Sequence, residues 1–306
     1  MRSQAGFFAV AILCATITAP ARAATAPTAV PFELFHNIVL LEARLNGQGP
    51  FWVMLDTGTD PSALDVALVA RLGISLGGTA GLGTGGGTDA KKVTEVKIHR
   101  VEVGTLVAED VDALAGGMLA RISEKIGRPV AAVLGYSFLR DRVVRIDYPG
   151  RRIEFLTELA PQRSQSGRRA VLPFHWDDDD GDVVIEGVKV NGKSLRAVVD
   201  TGSNGSLKLT PEAVRELGLE GAASAGASTT NTGYNGAYSA SEGTLQSLAL
   251  DGLTIEHPHA TFWKAGTGHD GKKWGVNIGN EIFASYVLTL DYRRSVMVLE
   301  LPGGKR

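Results

Sequence analysis

The sequence predicts an all-β protein of two like lobes that carry a few short helices. Three observations point there. The stretch Leu55-Asp56-Thr57-Gly58-Thr59 recurs as Val199-Asp200-Thr201-Gly202-Ser203, 144 residues further on. Glycine is abundant, at 38 of 306 residues, and aromatic side chains make up only 7%, which suits a chain dense in turns. Between the turns, apolar residues fall in short runs rich in branched side chains, which fit a pleated surface.

The repeat extends beyond the two triplets. The same offset relates Gly135, in Ala132-Val133-Leu134-Gly135, to Gly279, in Val276-Asn277-Ile278-Gly279. It relates Asp147-Tyr148 to Asp291-Tyr292, Val144 to Leu288 and Ile146 to Leu290. Asn46-Gly47 and Asn191-Gly192 mark a turn in each copy, slipped by one residue. Two copies at so long a period describe a duplicated lobe, not a solenoid. One Asp-Thr-Gly alone is a common strand-to-turn corner; two that share an offset with several other matches are specific.

On these residues the chain resembles the pepsin/retropepsin-like aspartic proteases, as two fused retropepsin-type lobes covering about Pro31 to Leu301. The resemblance implies a bilobal acid-protease fold: two pseudo-symmetric β-barrel-like lobes with a cleft between them. It implies Asp56 and Asp200 as the catalytic pair at the cleft floor, sharing one water molecule, with no metal and no cofactor. It also implies that Thr57 and Thr201 exchange hydroxyl hydrogen bonds across the lobe interface. Thr59 and Ser203 then hydrogen-bond the outer carboxylate oxygens, and Gly58 and Gly202 admit close backbone approach. Asn277 departs from the family pattern, which has an apolar residue there.

Taken in order, the chain opens on a signal-peptide pattern over 1–23. Arg2 is the basic end, Phe7 to Ile17 an apolar run, and Ala21-Arg22-Ala23 a small-x-small cleavage site. The run is short for a membrane span. Cys14 lies in it, but Leu13 is too large for lipoprotein cleavage. Cys14 is the one cysteine, so the chain after Ala23 would have no disulfide. This pattern predicts an exported protein, periplasmic or secreted, with no long autoinhibitory prosegment before the first strand.

The first lobe is expected over 31–160. Phe32–Phe35 and Ile38–Leu45 read as strands, Asn46-Gly47 as their turn, and Phe51–Leu55 as a buried strand ending at Asp56. Ser62 looks like a helix cap with Asp65 three residues on, Ala63–Leu72 is apolar at helical spacing, and Gly73 suits the end. Gly81-Leu82-Gly83-Thr84-Gly85-Gly86 matches a dinucleotide fingerprint, but Val93, Val96, Ile98, Val101 and Val103 beyond it are strand-like, not the helix that fingerprint needs. By resemblance it is a flap, a hairpin tip over the substrate, with Gly83, Gly85 and Gly86 in contact. Met118–Ile126 reads as a helix, and Val143–Ile146 and Arg152–Phe155 as strands joined at Pro149-Gly150.

A polar linker over 161–169 leads to the second lobe, 170–302. There Thr210, Pro211 and Gly218 mark a helix. The second flap falls at Thr230–Tyr238, with Gly233 and Tyr234 toward substrate. Asp177–Asp180 lacks the alternating ligands of a calcium loop and reads as a solvated hairpin tip. His257, His259 and His269 lack a partnering ligand set and read as exposed loop residues. Phe262, Trp263 and Trp274 suit either the cleft or the core.

Net charge is −2, so no global field draws nucleic acid or an acidic membrane. The sequence therefore reads as a monomeric aspartic endopeptidase acting on peptide or protein substrate. The alternative is a peptide-binding protein of the same fold that does not cut.

Overall fold

A computed structural model of the chain describes residues 28–83, 86, 87, 89, 91–177 and 181–302. Among them the architecture is mostly strand, in two sheets, with five short α-helices. The predicted all-β, two-lobed class is what the chain adopts.

In the first lobe, Ile38–Leu45 and Gln48–Leu55 form a hairpin. Asn46 and Gly47 both have positive φ, the conformation an Asn-Gly turn favours. The strand Gln48–Leu55 then runs parallel to Ala132–Leu134, which lies between it and Ser62–Asp65. The second lobe repeats the arrangement. Lys193–Val199 runs parallel to Val276–Ile278, which separates it from Leu207–Leu209. Each Asp-Thr-Gly therefore leaves the end of a buried strand and loops over its neighbour. The Asp56 N–H donates to Leu134 O (3.1 Å) and the Asp200 N–H to Ile278 O (3.0 Å), so the two corners are fixed alike.

The lobes share a sheet. Val143–Asp147 pairs antiparallel with Val287–Asp291, and Arg145 stands opposite Thr289. These two residues are equivalents in the repeat, so a local two-fold axis passes between them. Arg152–Leu156 and Thr28–Pro31 extend this sheet on one side; Val296–Glu300 and Arg169–Asp177 extend it on the other. Buried side chains run continuously from Val30 and Val39 through Ile146 and Leu288 to Leu299. Residues 158–164, within and before the expected linker, carry no strand.

One expected helix is absent. Ser62–Asp65 is a strand, followed by a single 3-10 turn over Val66–Leu68 that Asp65, not Ser62, caps. The segment is enclosed between Ala132–Leu134 and Leu106–Gly116. A strand buried on both faces shows a continuous apolar run, which periodicity does not separate from a helix. Ser62 Oγ instead accepts from the Gly135 N–H (3.1 Å) and the Ser137 hydroxyl (2.8 Å). The helices expected at Met118–Ile126 and after Thr210 do form, each ended by a left-handed glycine, Gly127 or Gly218.

Candidate active site

The two loops meet head to head. Thr57 Oγ1 donates to Val199 O (2.6 Å) and accepts from the Thr201 N–H (3.0 Å). Thr201 Oγ1 donates to Leu55 O (3.0 Å) and accepts from the Thr57 N–H (3.1 Å). Both threonines are buried, so these four bonds lock the loops in a dry environment. The exchange matches what the resemblance implied.

Each carboxylate lies against the opposite lobe's glycine. A Cβ on Gly58 would stand 3.2 Å from the Asp200 carboxylate carbon, and one on Gly202 would collide with the Asp56 carboxylate. At Gly202 only glycine admits this approach, and at Gly58 a side chain would press on Asp200. Gly58 N–H donates to Asp56 Oδ1 and Gly202 N–H to Asp200 Oδ1, both at 2.8 Å.

The outer oxygens are held differently. Asp56 Oδ2 accepts from the Thr59 hydroxyl (2.7 Å), as expected, and also from the Tyr234 hydroxyl (2.7 Å). Asp200 Oδ2 accepts from Asn277 Nδ2 at 2.6 Å. Ser203 does not make the bond expected of it: its hydroxyl is buried and has no hydrogen-bond partner among the described residues. The departure at Asn277 is thus what supplies the second donor. Its one sequence signal is a polar residue within the apolar run Val276-Asn277-Ile278.

Asp56 is buried and Asp200 partly so. Burial, reinforced by the Asp200 charge, pushes the Asp56 carboxyl up to about 7, against the pull of Thr59, Tyr234 and the Gly58 N–H toward the ionised form.

Two hairpins roof the cleft. Thr79–Leu82 with Lys92–Val103 forms the first, and Ser228–Gly233 with Gly236–Thr244 the second. Their tips touch: the Asn235 N–H donates to Gly86 O (2.8 Å), Asn235 Nδ2 to Gly83 O (2.9 Å), and the Asp89 N–H to Asn235 O (2.6 Å). Gly233 packs on the Gly86 backbone, and Tyr234 descends to Asp56. Gly85 lies outside the described residues, as do Asp178, Asp179 and Asp180; Asp177 closes a strand and is buried.

The cleft encloses about 340 Å³. Its first-lobe wall is aliphatic, built on Ile38, Met54, Ala63 and Ile126. Its second-lobe wall is aromatic and charged. Trp263 and Trp274 are buried there, while Phe262 joins the main core. His269 is a correction: it is buried, stacked on Trp263 with ring centroids 3.6 Å apart, and burial, then Lys208 and Lys272, lower its pKa to about 4. His257 and His259 are exposed. Sequence reasoning also missed Asp182, whose buried carboxylate accepts from Trp274 Nε1 (3.0 Å), and Lys208.

A family model described as aspartyl protease matches residues 41–138 and 187–273, one stretch in each lobe. The chain belongs to the aspartyl protease family. Membership in that family accords with a hydrolase and with two fused retropepsin-like lobes. The two matched stretches include both Asp-Thr-Gly loops and both hairpins over the cleft. No curated protein matches the chain.

Proposed function

We propose that the protein is an endopeptidase whose Asp56 and Asp200 activate one water molecule against a peptide carbonyl. The observation that carries this reading is the close approach of two carboxylates, one buried and one partly so, each set against the glycine of the other's loop. Carboxylates so placed do not both ionise and share one proton, the pattern established for aspartic protease dyads generally. The ionised member takes a proton from water as the oxygen attacks the carbonyl carbon. The protonated member hydrogen-bonds the carbonyl oxygen and stabilises the charge that develops there. Collapse of the resulting diol breaks the C–N bond, and the amine leaves with a proton from the dyad. The titration belongs to the pair, so neither aspartate is assigned a separate acid or base role.

Thr57, Thr201, Thr59 and Asn277 hold this geometry. An extended peptide lies beneath the two hairpins, bound through its main chain, with side chains in alternating pockets. We further propose that the protein is exported and acts as a monomer. No helix among the described residues is long and apolar enough to cross a membrane.

The test is cleavage of an unfolded protein at acid and neutral pH, with and without a transition-state-mimicking inhibitor of aspartic proteases. Asp56→Asn and Asp200→Asn are each expected to lower kcat by about a thousandfold or more. Cleavage that survives either change would sink the dyad. Tight peptide binding with no cleavage by the wild type would favour the non-catalytic alternative.

A further inference from the structure

The two lobes differ in chemistry where their backbones agree. Leu40 faces Met54 in the first lobe, and Val184 faces Val198 in the second, at the repeat offset. The register sets Ala63 opposite Val133 and Lys208 opposite Asn277. Two residues back along the hairpin, Ile38 corresponds to Asp182. Three apolar positions of the first lobe, Ile38, Ala63 and Val133, are therefore Asp182, Lys208 and Asn277 in the second. All three second-lobe residues line the cleft.

Two of them have partners. Asn277 holds Asp200, and Asp182 holds Trp274. Lys208 has none: among the described residues its ammonium makes no hydrogen bond and no ion pair, although it is partly buried. It is directly opposite Asn277 in an antiparallel pair, so both side chains leave the same face of the sheet, beside Asp200. An ammonium that faces the cleft with no partner among the described residues is placed to bond a negative group on whatever enters it. Burial pulls the Lys208 ammonium below the ordinary lysine value; Asp200 and Asp56 draw it the other way without bonding it, and Lys125 across the cleft adds positive charge. His269 behind it is neutral above its low pKa and does not compete for an anion.

We propose that Lys208 is a specificity residue whose ammonium binds a carboxylate on a substrate side chain next to the cut bond. On this account the cleft selects Glu or Asp on the Asp200 side of the dyad, where Lys208 stands, with the positive charge of Lys125 across the cleft favouring the same sign. The inference rests on the endopeptidase reading and names the substrate class for that site.

The experiment uses peptide pairs identical except for Glu or its neutral isostere Gln at each position flanking the cut bond. At one position the wild-type protein is expected to favour Glu by at least about tenfold in kcat/KM, the scale of one charge-assisted bond. Lys208→Met brings that ratio near one, whatever it does to either rate. Lys208→Glu turns the preference toward Lys at the same position. If Lys208 serves only to tune the dyad, Lys208→Met lowers both rates together and leaves the ratio intact, which overturns the inference. A wild type that cleaves both peptides equally at every position overturns it too, while the protease reading stands. A wild type that cleaves neither ends the protease reading, and calorimetric binding of the same pairs then decides: equal affinity for Glu and Gln peptides overturns the role of Lys208, and tighter Glu binding lost in Lys208→Met supports it.

Discussion

Asp56 and Asp200 occupy equivalent places at the ends of equivalent strands, yet different donors hold them. Thr59 and Tyr234 reach Asp56; Asn277 reaches Asp200, and among the described residues the Ser203 hydroxyl has no partner. A hydroxyl or amide bond to a buried carboxylate is worth enough to fix its rotamer. Thr59→Ala and Asn277→Val are therefore each expected to lower kcat about tenfold, and Ser203→Ala to leave it within about threefold. Steady-state kinetics on one peptide checks all three; a Ser203→Ala loss as large as that of Thr59→Ala would restore the symmetric arrangement. The sequence makes the two aspartates, their threonines and their glycines legible because the same residues recur at one offset. It does not make the donor to Asp200 legible. Ser203 fits the repeat by its hydroxyl, at the place of Thr59, whereas Asn277 is 77 residues away from Asp200 and comes beside it only through the parallel pairing of two strands.

At the scale of elements, the second-lobe hairpin does more than cover the cleft. It carries Tyr234 to Asp56, and the bond made there favours the ionised carboxylate. Burial raises Asp56 to about 7; without the tyrosine hydroxyl the carboxyl would keep its proton to higher pH. The alkaline limb of kcat/KM, which reports the free enzyme, is thus expected near pH 7 and to move upward in Tyr234→Phe. A pH profile of both proteins checks this, and a limb that stays or moves down would show that the hydroxyl does not govern the pair. The glycine run identified the first hairpin because strand-like residues come after it, and Gly233-Tyr234-Asn235-Gly236 located the second. The contact between their tips was not legible, since neither hairpin encodes its reach across the cleft. The strand Ser62–Asp65 shows the converse failure. Its apolar side chains are buried on both faces, so the pattern that suggested a helix reflects enclosure and not helical period.

At the scale of the whole molecule, each lobe places one residue in the other at the same point of the repeat. Tyr136 of the first lobe stacks on Trp176 of the second, centroids 3.6 Å apart. Its equivalent, Asn280, is fully buried and donates to Asn37 O and Thr201 O, both at 2.7 Å, while accepting from the Tyr148 hydroxyl at 2.6 Å. The repeated tyrosines, Tyr148 and Tyr292, have their reason here: Tyr148 meets Asn280, and Tyr292 packs 6.1 Å from Tyr136. With a shared sheet and a continuous core between them, the lobes are expected to unfold in one transition. Asn280→Ala removes three bonds at once and strands the buried Tyr148 hydroxyl and Thr201 carbonyl, one in each lobe. It is expected to lower the unfolding free energy by about 2–3 kcal/mol while the transition stays single. In a Tyr148→Phe background the same change should cost about 1 kcal/mol less, since one of the orphaned groups is already gone. Denaturant unfolding followed by tryptophan fluorescence and by circular dichroism measures both quantities. If the two signals separate in the wild type, each lobe stands on its own core, and Asn280 joins parts that are already stable.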